Sequence, residues 1–344
     1  MDRTFLCYLF ILSFFISISC NNKENNGKKA IQSISNSDSL SIEYFSKEIR
    51  KNPTNSDLFF QRATLYFKNH QIDDAINDLD IAIKLDSTIA KYYIILANYE
   101  LLKGRSEKVK TTLEKCIRIF PENTKALLML AKLHLYVKQY KESNNYLKKI
   151  LRIDKYNPEA YYIRGLIYKE NLDTVKAIEN IQIAVEYEPE YYDAYILLGL
   201  LFSAKSDNIA VDYYNNAIEI LPKSIEAHYN LALYYQENNN ADKAIEKYNY
   251  IISEIDSSIS NIYFNLGYVY LVYSDEPENA LPYFSKALKI DSNYAEAYYN
   301  RGYCYELLND FENASLDYNK SLDIIPNYSL SINGLNRIEQ KLSK

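Results

Sequence analysis

Three asparagines, Asn230, Asn265 and Asn300, recur 35 residues apart, each directly behind an aromatic residue: Tyr229, Phe264 and Tyr299. A carboxamide carries both a donor and an acceptor, so a regularly spaced row of them can bind the amide groups of an extended chain without reading its sequence. That is recognition chemistry rather than bond breaking. The residue types that would support catalysis are less well arranged. His70, His134 and His228 include no i, i+4 pair of the kind a zinc helix uses. There is no G-x-G-x-x-G, no phosphate loop and no G-x-S-x-G turn. Carboxylates are plentiful, 45 in all, yet no two stand out as a catalytic couple. The sequence therefore predicts no catalytic residue, no metal and no cofactor.

Composition narrows the elements that could hold such a row. Only 7 Gly and 8 Pro in 344 residues are too few for a turn-rich sandwich or propeller, and a long helical array fits better. The formal net charge of -6 lacks the cationic surplus that neutralising phosphates requires, which argues against nucleic acid as a partner.

Asp2 and Arg3 precede an apolar run from Phe5 to Ile18, broken only by Ser13 and Ser17, and followed by Ser19, Cys20 and the polar string NNKENNGKK. As a helix the run covers roughly 21 Å, short of the ~30 Å hydrocarbon core, so it reads as a cleaved signal over 1–19. Cys20, at the junction, resembles the lipid-acceptor cysteine of bacterial lipoprotein signals. Ser17 stands where that family has leucine. The resemblance implies a lipid at Cys20, a polar tether over 20–39 and a place in the bacterial cell envelope. Asn21 is not acidic, which points to the outer rather than the inner membrane.

The rest of the chain repeats. Small residues recur at Ala63, Ala97, Ala131, Gly165, Gly199, Ala232, Gly267 and Gly302, at spacings of 33 to 35. About twelve residues on lies a second ladder: Ala75, Val109, Ser143, Ala177, Ala210, Ala244, Ala280 and Ala314. A third follows seven later, from Ala82 and Cys116 to Ala287 and Ser321. Aromatic or large apolar residues flank the first ladder four places before and three after, as Tyr298 and Tyr305 flank Gly302. Cys116 replaces a packing alanine and Cys304 lies six repeats away, so both read as buried small side chains rather than a disulfide.

This 34-residue helix-turn-helix period resembles the tetratricopeptide repeat (TPR). The resemblance covers 56–328 as eight repeats, after a helical half-repeat in 40–55 and before a closing helix in 329–344. It implies an all-α, right-handed superhelical solenoid whose first helices line the concave side. The small ladder would let paired helices approach closely while neighbouring aromatics fill the flanking space. One deletion near SAKSDN and insertions near SEIDSSI and SDEPEN are expected in turns between helices. Arg337, Glu339, Gln340, Lys341 and Lys344 would give the closing helix a polar outer face.

With the first helices lining a groove, Tyr229, Asn230, Phe264, Asn265, Tyr268, Tyr299, Asn300 and Tyr303 become the candidate peptide-binding residues, as similar asparagine rows in some relatives bind peptide backbone. Tyr162, Ile196, Leu166, Leu200 and Leu233 continue the surface towards earlier repeats. Lys91, Lys125 and Lys132 near one end, against Glu159, Asp193, Glu226 and Glu296, suggest a groove basic at one end and acidic at the other. The expected function is a non-catalytic, lipid-anchored interaction scaffold that binds a protein or an extended peptide. The alternatives are a structural spacer that uses its convex side, and an enzyme or glycan-capturing protein whose site the sequence does not display.

Overall fold

The computed structural model of the chain describes residues 41–343. The expected signal, Cys20 and the tether lie outside the described residues. Among those described, the chain is all-α: 18 α-helices, two of them prolonged by a π-helical turn, and no strand. No described helix is long and apolar enough to cross a membrane.

The chain forms two compact units that divide between Phe120 and Pro121. In the first, α1 (Ile42–Lys51) precedes the hairpins α2 (Ser56–Lys68) with α3 (Ile72–Leu85) and α4 (Ala90–Leu102) with α5 (Ser106–Ile119). The second begins with the hairpins α6 (Thr124–Tyr136) with α7 (Tyr140–Ile153), and α8 (Pro158–Glu170) with α9 (Thr174–Tyr187). Next come α10 (Tyr192–Ser203) with α11 (Ile209–Ile220), and α12 (Ile225–Glu237) with α13 (Ala241–Tyr250). Last are α14 (Ser260–Tyr268) with α15 (Pro277–Ile290), α16 (Ala295–Leu307) with α17 (Phe311–Ile324), and the single α18 (Ser329–Leu342). The eight hairpins are the eight expected repeats.

Each hairpin turns through one left-handed residue, successively His70, Gly104, Lys138, Leu172, Ser206, Asn239, Asp275 and Asn309, with φ between 53° and 69°. Only one of the eight is glycine. The chain tolerates this conformation because the neighbouring amides close the turn: the Leu172 N–H donates to the Lys169 carbonyl and the Asp173 N–H to the Tyr168 carbonyl.

All three ladders are buried, which fixes the face that each helix turns inward. What fills the space above the small residues differs from expectation. The filler is not the flanking aromatic of the first helix but a large residue of the second helix, four places beyond the second ladder. It is aliphatic in the first four repeats (Leu79, Leu113, Leu147, Ile181) and aromatic in the last four (Tyr214, Tyr248, Phe284, Tyr318), and each is at most 1% exposed. A Cβ on Gly199 would stand 2.4 Å from the Tyr214 ring, and one on Gly165 2.5 Å from Ile181. The first-helix aromatics three places after the ladder, such as Tyr270 and Tyr305, are only half-buried.

Three of these four aromatics bring a hydroxyl into the core, and each finds a partner four residues beyond its small residue. Tyr214 pairs with Ser203 at 3.0 Å, and Tyr248 donates to Gln236 at 3.0 Å. Tyr318 donates to Glu306 at 2.8 Å. The fourth, Phe284, has no hydroxyl, and the matching position is Leu271, 5% exposed in the same cluster. The two columns thus match donor to acceptor and apolar to apolar, as buried polar groups require.

The insertions also depart from expectation. The extra residues sit within helices rather than in turns, one in a π-helical segment Ile251–Ile255 that prolongs α13 and one in Val269–Tyr273 that prolongs α14. A widened turn absorbs one residue and returns the following face to phase, so Tyr248 before the first and Leu266 after it both stay sealed. The deletion does fall between helices, at α10 to α11.

A second polar constellation was not read from the sequence. Arg62 makes a bidentate pair with Asp78 (2.7 and 2.8 Å) and also donates to Ser46. Arg301 does the same with Asp317 (2.7 and 2.8 Å) and Ser285. In α18, Arg337 and Lys341 do more than face water, since both reach back to Glu306, which is 3% exposed.

Candidate functional site

The candidate residues lie in the second unit, on first helices α12, α14 and α16. Their helix starts explain part of the surface. Asn123, Asn157 and Ser224 precede first helices and accept a backbone N–H, an ordinary N-cap. Tyr191, Tyr294 and Tyr328 occupy the same place before α10, α16 and α18 and make no cap bond. Each instead covers the first-helix aromatic of the preceding repeat. The ring centroids are 5.0 Å apart for Tyr162 and Tyr191, 4.9 Å for Phe264 and Tyr294, and 5.8 Å for Tyr299 and Tyr328. A cap worth about 1 kcal/mol is exchanged for aromatic burial that exceeds it.

The row that results is continuous. Phe264 also meets Tyr268 (6.3 Å) and the buried Phe284 (5.7 Å). Tyr299 stacks on Tyr303 (6.3 Å) and contacts Tyr318 (5.8 Å), and the Arg337 guanidinium lies 5.6 Å over the Tyr303 ring. Tyr229, Phe264, Tyr268, Tyr299 and Tyr303 are all half-buried, with one side on the core and the other open. Burial raises the phenols of Tyr229, Tyr299 and Tyr328, the last to about 12, so all three are neutral donors at physiological pH. Tyr162 and Ile196, placed by sequence on the same surface, are each 5% exposed and belong to the packing between repeats.

The three asparagines, alike in sequence, are not alike in structure. Asn265 spends both amide hydrogens, on the Tyr229 hydroxyl (3.1 Å) and the Tyr248 hydroxyl (3.2 Å). Its carbonyl oxygen remains an acceptor. Asn300 is buried and donates to the Glu296 carbonyl of its own helix at 2.8 Å. Asn230 is half-buried and has no side-chain hydrogen bond among the described residues. Spacing alone could not separate these three, because the hydroxyls that hold Asn265 are brought by packing, Asn300 turns to a carbonyl of its own helix, and Asn230 has neither.

The other polar candidates have structural surroundings. His134 and His228 are buried: one ring nitrogen of His134 pairs with Gln139 at 2.7 Å, and His228 donates to the Pro222 carbonyl at 3.0 Å. His70 is exposed in its turn. Cys116 and Cys304 are free and buried, and burial pushes their thiols up to about 11 and about 12. No cluster of three His, Cys, Asp or Glu able to hold a metal occurs among the described residues. Of the acidic candidates, Glu159 is paired with Lys132. Lys91 lies 4.5 Å over the Phe60 ring.

Helical hairpins stacked on buried ladders, with a half-open aromatic face, define a helical-repeat protein of the kind that presents a docking surface. Residues 44–77, 213–246, 260–294 and 295–328 match family models described as tetratricopeptide repeat. At those four stretches the chain carries tetratricopeptide repeats, a motif that in other proteins serves as a protein–protein interaction scaffold and is typically non-catalytic. The same family model matches at both 44–77 and 213–246, starting within α1 in one place and within α11, a second helix, in the other. The helix α1 therefore stands in the register of a second helix.

Similar proteins include a BBSome complex member BBS4 homolog of Drosophila melanogaster, 24% identical over 48% of this chain and 35% of that protein. The human mitochondrial import receptor subunit TOM70 is 23% identical over 54% of this chain and 32% of its own length. The chain thus spans about a third of these curated relatives. Among solved structures, a tetratricopeptide repeat protein from Parabacteroides merdae is 20% identical, covering 73% of this chain and 98% of that one, with a TM-score of 0.49. YrrB, described as a TPR protein with an unusual peptide-binding site, is 24% identical, covering 54% of this chain and 97% of that one, with a TM-score of 0.42.

Proposed function

We propose that the protein is a non-catalytic docking scaffold, tethered to an envelope membrane through a lipid on Cys20, that binds an extended polypeptide along the first-helix face of α12, α14 and α16. One observation carries this reading: the row Tyr229, Phe264, Tyr268, Tyr299 and Tyr303 stays half-open while the second-helix aromatics behind it are sealed. Half-open aromatics backed by a fixed core lose little entropy on binding, and they bring a large apolar area to a partner. The Asn265 carbonyl, Asn230 and the tyrosine hydroxyls supply the hydrogen bonds that an extended backbone needs.

Site-specific photocrosslinking in cells tests the whole proposal. A photoreactive residue in place of Tyr268 is expected to capture a polypeptide in the membrane fraction, and one in place of the exposed second-helix residue Leu316 is not. Capture from position 316 alone would favour the spacer reading. Fractionation of a Cys20→Ala variant into the soluble pool is the expected sign of the lipid anchor. Because Asn300 is turned into its own helix and Tyr299 braces Tyr318, the variants that isolate binding from folding are Tyr268→Ser and Asn230→Ala.

A further inference from the structure

A different chemistry lies earlier on the same unit, across α8, α10 and α12. Tyr162 is 5% exposed, and among the described residues its hydroxyl has no hydrogen-bond partner. Its ring is covered by Tyr191, and its phenol is raised by burial and then by the charges of Asp193 and Glu226, which places it in the field of both carboxylates. Tyr192 donates to Glu226 at 3.1 Å and pairs with Ser224 at 2.6 Å. Asp193 is half-buried and makes neither a hydrogen bond nor an ion pair among the described residues. Burial raises its carboxyl, and the cation that opposes this, Lys132, is already paired with Glu159. Glu226 is exposed, and its carboxyl too is raised, by partial burial first.

A half-buried carboxylate, an exposed one and three phenols therefore lie together, and the one cation acting on Asp193, Lys132, is held by Glu159. A positive group arriving here would meet the half-buried Asp193 carboxylate, less screened by water than the exposed Glu226 beside it, ring faces that attract cations, and the unused Tyr162 hydroxyl as an acceptor. We propose that the surface formed by Tyr162, Tyr191, Tyr192, Asp193 and Glu226 receives a lysine or arginine side chain of a bound polypeptide. This rests on the reading of the unit as a polypeptide-binding surface and adds the class of residue that it selects.

The test is an NMR titration of the chain carrying 13C at tyrosine Cε, with acetyl-Gly-Arg-Gly-amide and its lysine counterpart as probes and acetyl-Gly-Gln-Gly-amide as control. The basic probes are expected to shift the Tyr162, Tyr191 and Tyr192 resonances saturably, and the glutamine probe is not. Asp193→Asn should weaken the basic probes about tenfold, the loss of one close charge partner. The same variant should melt no lower than the parent, since it removes an uncompensated charge. Should Asp193→Asn fail to fold, Glu226→Gln at the open edge carries the same comparison. Equal shifts from the glutamine probe, unchanged affinity in the variant, or the same shifts from CaCl2 alone would overturn the proposal. A tripeptide cannot reach the row from Phe264 to Tyr303, so its failure leaves the longer docking face standing, and the crosslinking at position 268 does not depend on it.

Discussion

Tyr318 lies against the bare backbone of Gly302: a Cβ on that glycine would stand 3.1 Å from the ring Cδ1 and Cε1 and 3.2 Å from the Ala314 carbonyl oxygen. Alanine at this place would gain about 1 kcal/mol of helix propensity, but a longer side chain has nowhere to go. Gly302→Leu is expected to destabilise by about 1 to 3 kcal/mol in denaturant unfolding. An unchanged midpoint would refute the packing.

Leu172 adopts φ 61° in its turn and is 88% exposed. A left-handed leucine costs roughly 1 to 2 kcal/mol, and this one has little burial to offset it. Leu172→Gly should therefore raise the thermal midpoint, by an amount corresponding to about 0.5 to 1 kcal/mol after the greater backbone entropy of glycine is subtracted. Gly104→Leu, at the matching turn of the second repeat, should lower it.

The Arg301 and Asp317 pair is part-buried, with the carboxylate side chain 7% exposed. Asp317→Ala leaves the guanidinium without its partner and should cost about 3 kcal/mol. Other repeats carry an apolar solution in these two columns: Leu130 with Tyr146, Leu198 with Tyr213, and Leu266 with Tyr283. The double variant Arg301→Leu with Asp317→Tyr should recover most of that loss, and a double variant as unstable as Asp317→Ala would count against the interpretation.

His228 donates through Nε2 to the Pro222 carbonyl, and its Nδ1 is buried without a partner. Protonation must place charge there, so burial lowers the imidazole pKa below the ordinary 6.5. The unfolded chain then takes up the proton first as pH falls. The stabilisation is complete above about pH 6.5 and is lost as pH drops through the folded value. Melting midpoints should be flat from pH 8 to 7 and decline from pH 6.5 to 5, with a smaller decline in His228→Phe. Parallel profiles for the two proteins would argue against this histidine as a source.

Much of the fold was legible because helical packing writes small residues at fixed intervals. Ala63 through Gly302 are sealed wherever the ladder put them, and the eight hairpins follow its spacing. The column of large second-helix residues is also present in the sequence, four places beyond Ala210, Ala244, Ala280 and Ala314, although the first-helix aromatics lie nearer to the small ladder along the chain. The π-helical turns were not legible, since an extra residue looks the same in sequence whether a turn or a helix absorbs it.

The sequence by itself determined the repeat, the inward face of each helix and the position of an aromatic row, because these depend on periodicity along one chain. Only the tertiary structure decided which polar groups remain available. Asn265 and Asn300 are equivalent by spacing, yet one is held by tyrosines from two other helices and the other by its own backbone. Tyr162 and Asp193 lie on neighbouring repeats and come under mutual influence only when α8 and α10 pack. Hydrogen-bond partners and desolvation are properties of the space between helices, and that space exists only once the chain has folded.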